Sequence, residues 1–209
     1  MKEGDIHSDV MKAPQERGFM FTGIITETGV VETCSPSRIF VRAQSPFLRR
    51  LSRGVSVAVD GACLTVVGKT RRVFSADLMP ETTLRTTLGG LASGSLVNLE
   101  LPATPTTFLS GHIVQGHVDE LAILVGLTRK AHSRVLKLSV HPALSKYIVE
   151  KGSIAVNGAA LTVIETGKNY FTVGIIPHTW ESTSFRTMKV GARANIEVDV
   201  LAKYVEKLI

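Results

Sequence analysis

Short apolar runs separated by turn residues dominate this chain, and most are too brief for helices. The run 55–59 alternates loosely between apolar and polar positions and stops at Asp60-Gly61, a dipeptide suited to a tight hairpin turn. Runs 64–67 and 72–78 follow at strand length, and Asn157-Gly158 and Lys168-Asn169 punctuate similar runs farther along. Val, Ile and Thr recur within them, as pleated, half-buried strands prefer. Three segments carry helical patterning instead. Segments 45–51 and 142–148 place Pro46 and Pro142 early, where a first helical turn tolerates proline. Segment 201–209 sets Leu201, Tyr204, Val205 and Leu208 on one face, which predicts an amphipathic terminal helix. Such a helix folds back on its own chain or pairs with copies of itself.

The pattern occurs twice. Shifted by 97 positions, residues 56–67 fall on residues 153–164 with eight of twelve identical. The same shift lays Phe74 on Phe171, Pro80 on Pro177, Thr82 on Thr179, Thr86 on Thr183 and Asn98 on Asn195. A constant offset with matched Gly, Pro and Asn indicates duplication rather than coincidence between generic strands. Upstream, 21–25 resembles 114–118 if a few residues are gained or lost between them. The units therefore run over 20–112 and 113–209. Short strands at close spacing predict a small closed barrel in each, since closure removes exposed edges.

Composition narrows the function classes. The chain has 209 residues, 44% apolar and 20% charged, an ordinary globular balance for one large or two small domains. The net charge of +6 rests on scattered Lys and Arg; the densest spots, Arg49-Arg50 and Arg71-Arg72, read as solvated surface. A nucleic-acid binder ranks low, because no aromatic stacking platform or basic groove signature is present. Two cysteines, Cys34 and Cys63, are too few for a disulfide framework, and no Cys/His metal spacing occurs. No run reaches membrane-span length, and charged residues fill 1–19, unlike a secretory signal. A cytoplasmic protein is the expectation.

Six motifs then stand in order: Met20-Phe21-Thr22-Gly23-Ile24; residues 59–66 around Asp60-Gly61; residues 111–119 with His112 and His117; residues 158–162; Ile176-Pro177-His178-Thr179; and residues 195–199 followed by 203–206. Together, over Met20 to Ile209, they resemble the riboflavin synthase family of the trimeric type. The resemblance implies a mainly β fold of two tandem, homologous, closed six-stranded Greek-key barrels plus a C-terminal α-helix that holds a homotrimer. It implies a transferase that turns two 6,7-dimethyl-8-ribityllumazine molecules into riboflavin and 5-amino-6-ribitylamino-pyrimidinedione, the last step of riboflavin biosynthesis. No metal or other cofactor is expected. A lumazine synthase capsid is a partner to consider. Residues 1–19 precede the family's usual start and are expected to be a disordered extension, with Met20 the true first residue.

Carried over residue by residue, the resemblance implies catalytic roles for Ser56, Cys63, His117 and Asp199. The first pocket takes Cys63, Leu64 and Thr65, walled by Asp77, Leu78, Met79, Pro80, Glu81 and Thr82. The second takes Lys151, Ala160, Leu161 and Thr162, walled by Ile176, Pro177, His178, Thr179, Trp180 and Glu181. Gly23, Ile24 and Ile25 with Gly116, His117 and Val118 complete the substrate-binding set. Blander alternatives stand beside these. Cys63 suits a small core position. His112 fits a satisfied structural histidine better than His117 does. Asp199 suits a surface acid before the last helix. Trp180 either stacks on ligand or fills a wall. Ala160 stands where the family commonly has serine, which gives some support to a non-catalytic lumazine- or flavin-binding chromophore protein.

Overall fold

A computed structural model describes residues 20–209; the expected extension at 1–19 lies outside the described residues. Strands β1 (Glu27–Ser35), β2 (Arg38–Arg42), β3 (Ser56–Val59), β4 (Ala62–Lys69), β5 (Val73–Asp77) and β6 (Leu96–Glu100) close a barrel in the order β1-β2-β5-β4-β3-β6. Strands β7 (Glu120–Lys130), β8 (Ser133–Ser139), β9 (Ser153–Val156), β10 (Ala159–Gly167), β11 (Tyr170–Ile175) and β12 (Arg193–Val198) close a second barrel with the same cyclic order. All pairings are antiparallel. The expected turns form as read: φ is +44° at Asp60 and +78° at Gly61, +44° at Asn157 and +77° at Gly158. Two consecutive positive φ values match the twist of the flanking strands. The turns abut each other, since a Cβ on Gly61 would lie 2.6 Å from the backbone nitrogen of Gly158.

Each barrel has its own core, with Val57, Leu64, Phe74 and Leu99 in the first and Leu138, Ile154, Phe171 and Ile196 in the second. A third, smaller cluster of Phe21, Ala58, Val114 and Ala155 lies between them. Around it runs a buried polar network that obeys the repeat. The Asp60 and Asn157 side chains accept from the backbone N–H groups of Asn98 (2.7 Å) and Asn195 (2.8 Å). The amide nitrogens of Asn98 and Asn195 then cross to the Asn157 and Asp60 carbonyls, at 2.9 and 2.7 Å. Each barrel thus satisfies polar groups of the other, which fixes their relative placement.

Helix α1 (Ser45–Arg50) closes as predicted. Helices α2 (Pro80–Arg85) and α4 (Pro177–Ser182) were not anticipated, although each carries the proline-at-first-turn signal. Helix α3 (Pro142–Ser145) is shorter than the expected 142–148, because Tyr147 and Ile148 turn inward, Ile148 onto the second core. Helix α5 (Val200–Leu208) ends the chain, capped by Asp199, which accepts from the Leu201 N–H at 3.0 Å. It is held by polar contacts: Lys203 meets Asp119 at 2.7 Å, and Glu206 meets Lys146 and Tyr147. Leu201, Tyr204, Val205 and Leu208 stay 58–84% exposed, so the apolar face does not fold back on its own barrel.

Candidate functional site

Strand alternation decides which predicted residues can meet a ligand. On β4 the even positions Ala62, Leu64 and Val66 point into the first core, and Cys63 and Thr65 point outward. Register places Ser56 opposite Thr65 and Ala58 opposite Cys63. Ser56, Cys63 and Thr65 therefore share the outer wall of the barrel. The side chains of Leu64 and Leu78 are buried in the first core and that of Leu161 packs against the second, which leaves their backbone groups to meet a ligand. On β9 and β10 the outer face carries Ser153, Ala160 and Thr162.

A segment of the opposite repeat covers each outer wall. Residues 21–25 lie against the second barrel, where the Ala160 N–H donates to the Gly23 carbonyl at 2.8 Å. Residues 114–118 lie against the first, where the Cys63 N–H donates to the Gly116 carbonyl at 2.9 Å. Ile25 packs on the second core and Val118 on the first, each away from the strands that follow it. The segments cross at Phe21 and Val114, which exchange backbone hydrogen bonds of 2.7 and 3.1 Å. Only glycine permits the approach: a Cβ on Gly116 would lie 2.5 Å from that of Cys63, and one on Gly23 2.5 Å from that of Ala160.

Two buried glutamates clamp these segments. Glu100 accepts from the N–H groups of Thr22 (2.7 Å) and Gly23 (3.0 Å), and Glu197 from those of Gln115 (2.6 Å) and Gly116 (2.9 Å). Burial raises both carboxyl pKa values, and the N–H donors partly offset this. Sequence reasoning missed their role, though both fall on the 97-residue offset.

The first pocket is a cavity of about 220 Å³ that brings together Cys63, Glu81, Thr82, Gly116, His117 and Val118. Ala62, Arg85 and Thr86 join it unanticipated, with Arg85 ion-paired to Glu81 along α2. Burial raises the Cys63 thiol pKa; the Ser56 hydrogen bond opposes this and the Glu197 carboxylate adds to it. Cys63 is thus a neutral S–H donor at neutral pH rather than a thiolate.

The repeat places Ile24 where the first site has His117, Ala160 where it has Cys63, and His178 and Thr179 where it has Glu81 and Thr82. Lys151 sits at φ +63°, a left-handed conformation that the first repeat gives to Gly54 at +86°. Both residues make the same bond, Lys151 N–H to Val163 and Gly54 N–H to Val66. Keeping lysine there costs about 1 kcal/mol of backbone strain. Asp199 and Ser153 line one groove. His112 is corrected from a satisfied residue: it is buried and its Nδ1 has no hydrogen-bond partner among the described residues. Burial lowers its pKa, and the Asp199 carboxylate opposes this.

Other predicted residues go elsewhere. Asp77 is exposed and paired with Arg38 at 2.6 Å. Trp180 is buried under the Arg134 guanidinium, 4.1 Å from its ring centre, so it fills the wall. Met79, Pro80, Ile176, Pro177 and Glu181 form the exposed rims of α2 and α4.

Comparison with known proteins agrees with this architecture. The lumazine binding domain model matches twice, over residues 22–102 and 115–199. Riboflavin synthase of Mycobacterium bovis is 43% identical over 199 residues, covering 91% of this chain and 98% of the relative. Those of Bacillus amyloliquefaciens and Bacillus subtilis are 39% and 38% identical, each covering 91% of this chain and 90% of the relative. Among solved structures, LumP complexed with 6,7-dimethyl-8-(1'-D-ribityl) lumazine superposes with a TM-score of 0.78 at 21% identity. LumP complexed with riboflavin gives 0.80 at 22%; each covers 86% of this chain and 99% of the other, and both share the fold. With the family model matched over both repeats and relatives this similar along nearly the whole described chain, this protein belongs to the riboflavin synthase family.

Proposed function

We propose that the chain is a transferase that moves a four-carbon unit between two 6,7-dimethyl-8-ribityllumazine molecules, releasing riboflavin and 5-amino-6-ribitylamino-pyrimidinedione. The observation that carries this is a pair of homologous but chemically unequal outer-wall sites. One offers Cys63, Ser56, Thr65 and His117; the other offers Ala160, Ile24 and Thr162, with Asp199 in a groove beside Ser153. Donor and acceptor lumazines need different treatment, so unequal sites suit a dismutation. In the first site the S–H of Cys63 and the hydroxyls of Ser56 and Thr65 donate toward charge that develops on the ring. His117, exposed at the rim, takes up or returns a proton. In the second, Lys151 supplies a positive charge and Asp199 a carboxylate.

In this proposal a site of one chain faces a site of another, which brings the two ligands together. The uncovered apolar face of α5 supports assembly into a homotrimer that does this. A lumazine synthase capsid remains a partner in this proposal. Purified protein incubated with the lumazine tests it, with riboflavin followed by absorbance near the flavin band. Steady riboflavin release is expected. Tight lumazine binding without product would overturn the enzyme and favour a chromophore-binding role, to which Ala160 points.

A further inference from the structure

One arginine from each of the two pairs that read as separate solvated spots, Arg49 and Arg71, lines a common cleft. Helix α1 carries Arg49 and Arg50, and the β4–β5 turn carries Arg71 and Arg72. Between them lies a cleft of about 520 Å³ lined by Ser45, Leu48, Arg49, Lys69, Thr70 and Arg71. Lys69 is held in place by donating to the Leu48 carbonyl at 2.9 Å and to that of Leu51. Residues 33–76 hold eight basic residues and one acid, the buried Asp60. Of the eight, Arg38 and Arg42 pair with Asp77 and Glu32; the others meet no carboxylate among the described residues. Cys63 and Lys69 are six residues apart on one strand, about 20 Å. The cleft is therefore separate from the first pocket.

The equivalent surface of the second repeat holds a carboxylate. Its counterparts of Arg49 and Arg50 are Lys146 and Tyr147, and both bind a carboxylate, Glu206 of α5. Among the described residues the first repeat has no helix in that place: β6 leads into the segment that crosses to residues 114–118. It also presents more charge: Arg49, Lys69 and Arg71 line the cleft in the first repeat, where the second has Lys146, Thr166 and Lys168. Three cations overmatch a single carboxylate and fit an anion of two or more charges. Guanidinium forks on opposite sides of a cleft suit the oxygens of phosphate groups.

We propose that the cleft between α1 and the β4–β5 turn is a binding site for a phosphate-bearing anion of two or more negative charges. Isothermal titration with inorganic pyrophosphate at low salt tests it. The full chain should bind about one equivalent, more weakly as salt rises. Arg49→Ala with Arg71→Ala should weaken binding at least 10-fold and leave riboflavin formation intact, which also shows that the variant is folded. Lys130→Ala with Lys189→Ala removes the same charge from exposed sites on the second repeat and should bind as the parent does. Equal loss in the two double variants would overturn the site in favour of general charge attraction. Absence of pyrophosphate binding would overturn it outright, and binding of a polyglutamate peptide in its place would reassign the cleft to an acidic protein partner.

Discussion

Replacing Asp60 by Asn isolates one buried charge against an internal control. The first repeat has Asp60 in the network between the barrels where the second has Asn157, and both side chains accept the same backbone bond. Burial pushes Asp60 from 3.8 up to about 7, against the opposing bonds from Asn98 and Ser184. The folded state therefore holds this proton more tightly than the unfolded chain. Its contribution to stability is complete below about pH 4 and is lost as pH rises through about 7. At 1.36 kcal/mol per pKa unit the full loss is on the order of 4 kcal/mol, of which roughly 2–3 kcal/mol falls between pH 5 and pH 8. Asp60→Asn lacks this titration. Urea denaturation of both proteins at pH 5, 6, 7 and 8 should show the variant gaining on the parent by that amount. Other carboxylates, including Glu100 and Glu197, cancel in the difference. A difference that stays flat from pH 5 to pH 8 would refute a raised Asp60.

Glu197→Ala strands the Gln115 and Gly116 N–H groups, so it should cost about 2–4 kcal/mol and cut turnover by loosening Cys63 and His117; denaturation and the rate of riboflavin formation measure both. Glu197→Gln keeps one acceptor and should fall between it and the parent. Lys151→Gly should raise stability by roughly 1 kcal/mol, a melting shift of about 2–4 °C, while slowing riboflavin formation. Cys63→Ser keeps a neutral donor and should retain much more activity than Cys63→Ala; equal losses would mean that the thiol acts otherwise.

The duplication, the barrels and the hairpin turns were legible because an offset of 97 residues and two positive-φ dipeptides are local signals. The placement of Leu64 and Leu161 was legible too, yet a continuous motif hid it: alternate strand side chains face opposite sides, so the side chains of a strand motif do not all point at one ligand. The exchange of 21–25 with 114–118 was not legible. The resemblance between those segments marks them as equivalent, but nothing in it says which barrel each lies on. The same holds for Glu100 and Glu197, whose N–H partners are 77 to 82 residues away. Arg49 and Arg71 come from separate elements and become one cleft only when α1 lies across the β4–β5 turn.

The crossing of the two segments has a consequence for how the repeats diverged. Had each segment stayed on its own barrel, Cys63 would share a pocket with Ile24, and Ala160 with His117: two half-equipped sites of similar character. Because the segments trade places, Cys63 of one repeat faces His117 of the other, and Ala160 faces Ile24. Single changes in opposite repeats therefore concentrate thiol and imidazole in one pocket and leave the other with two apolar neighbours. The crossing sorts two modest sequence differences into opposite chemical characters.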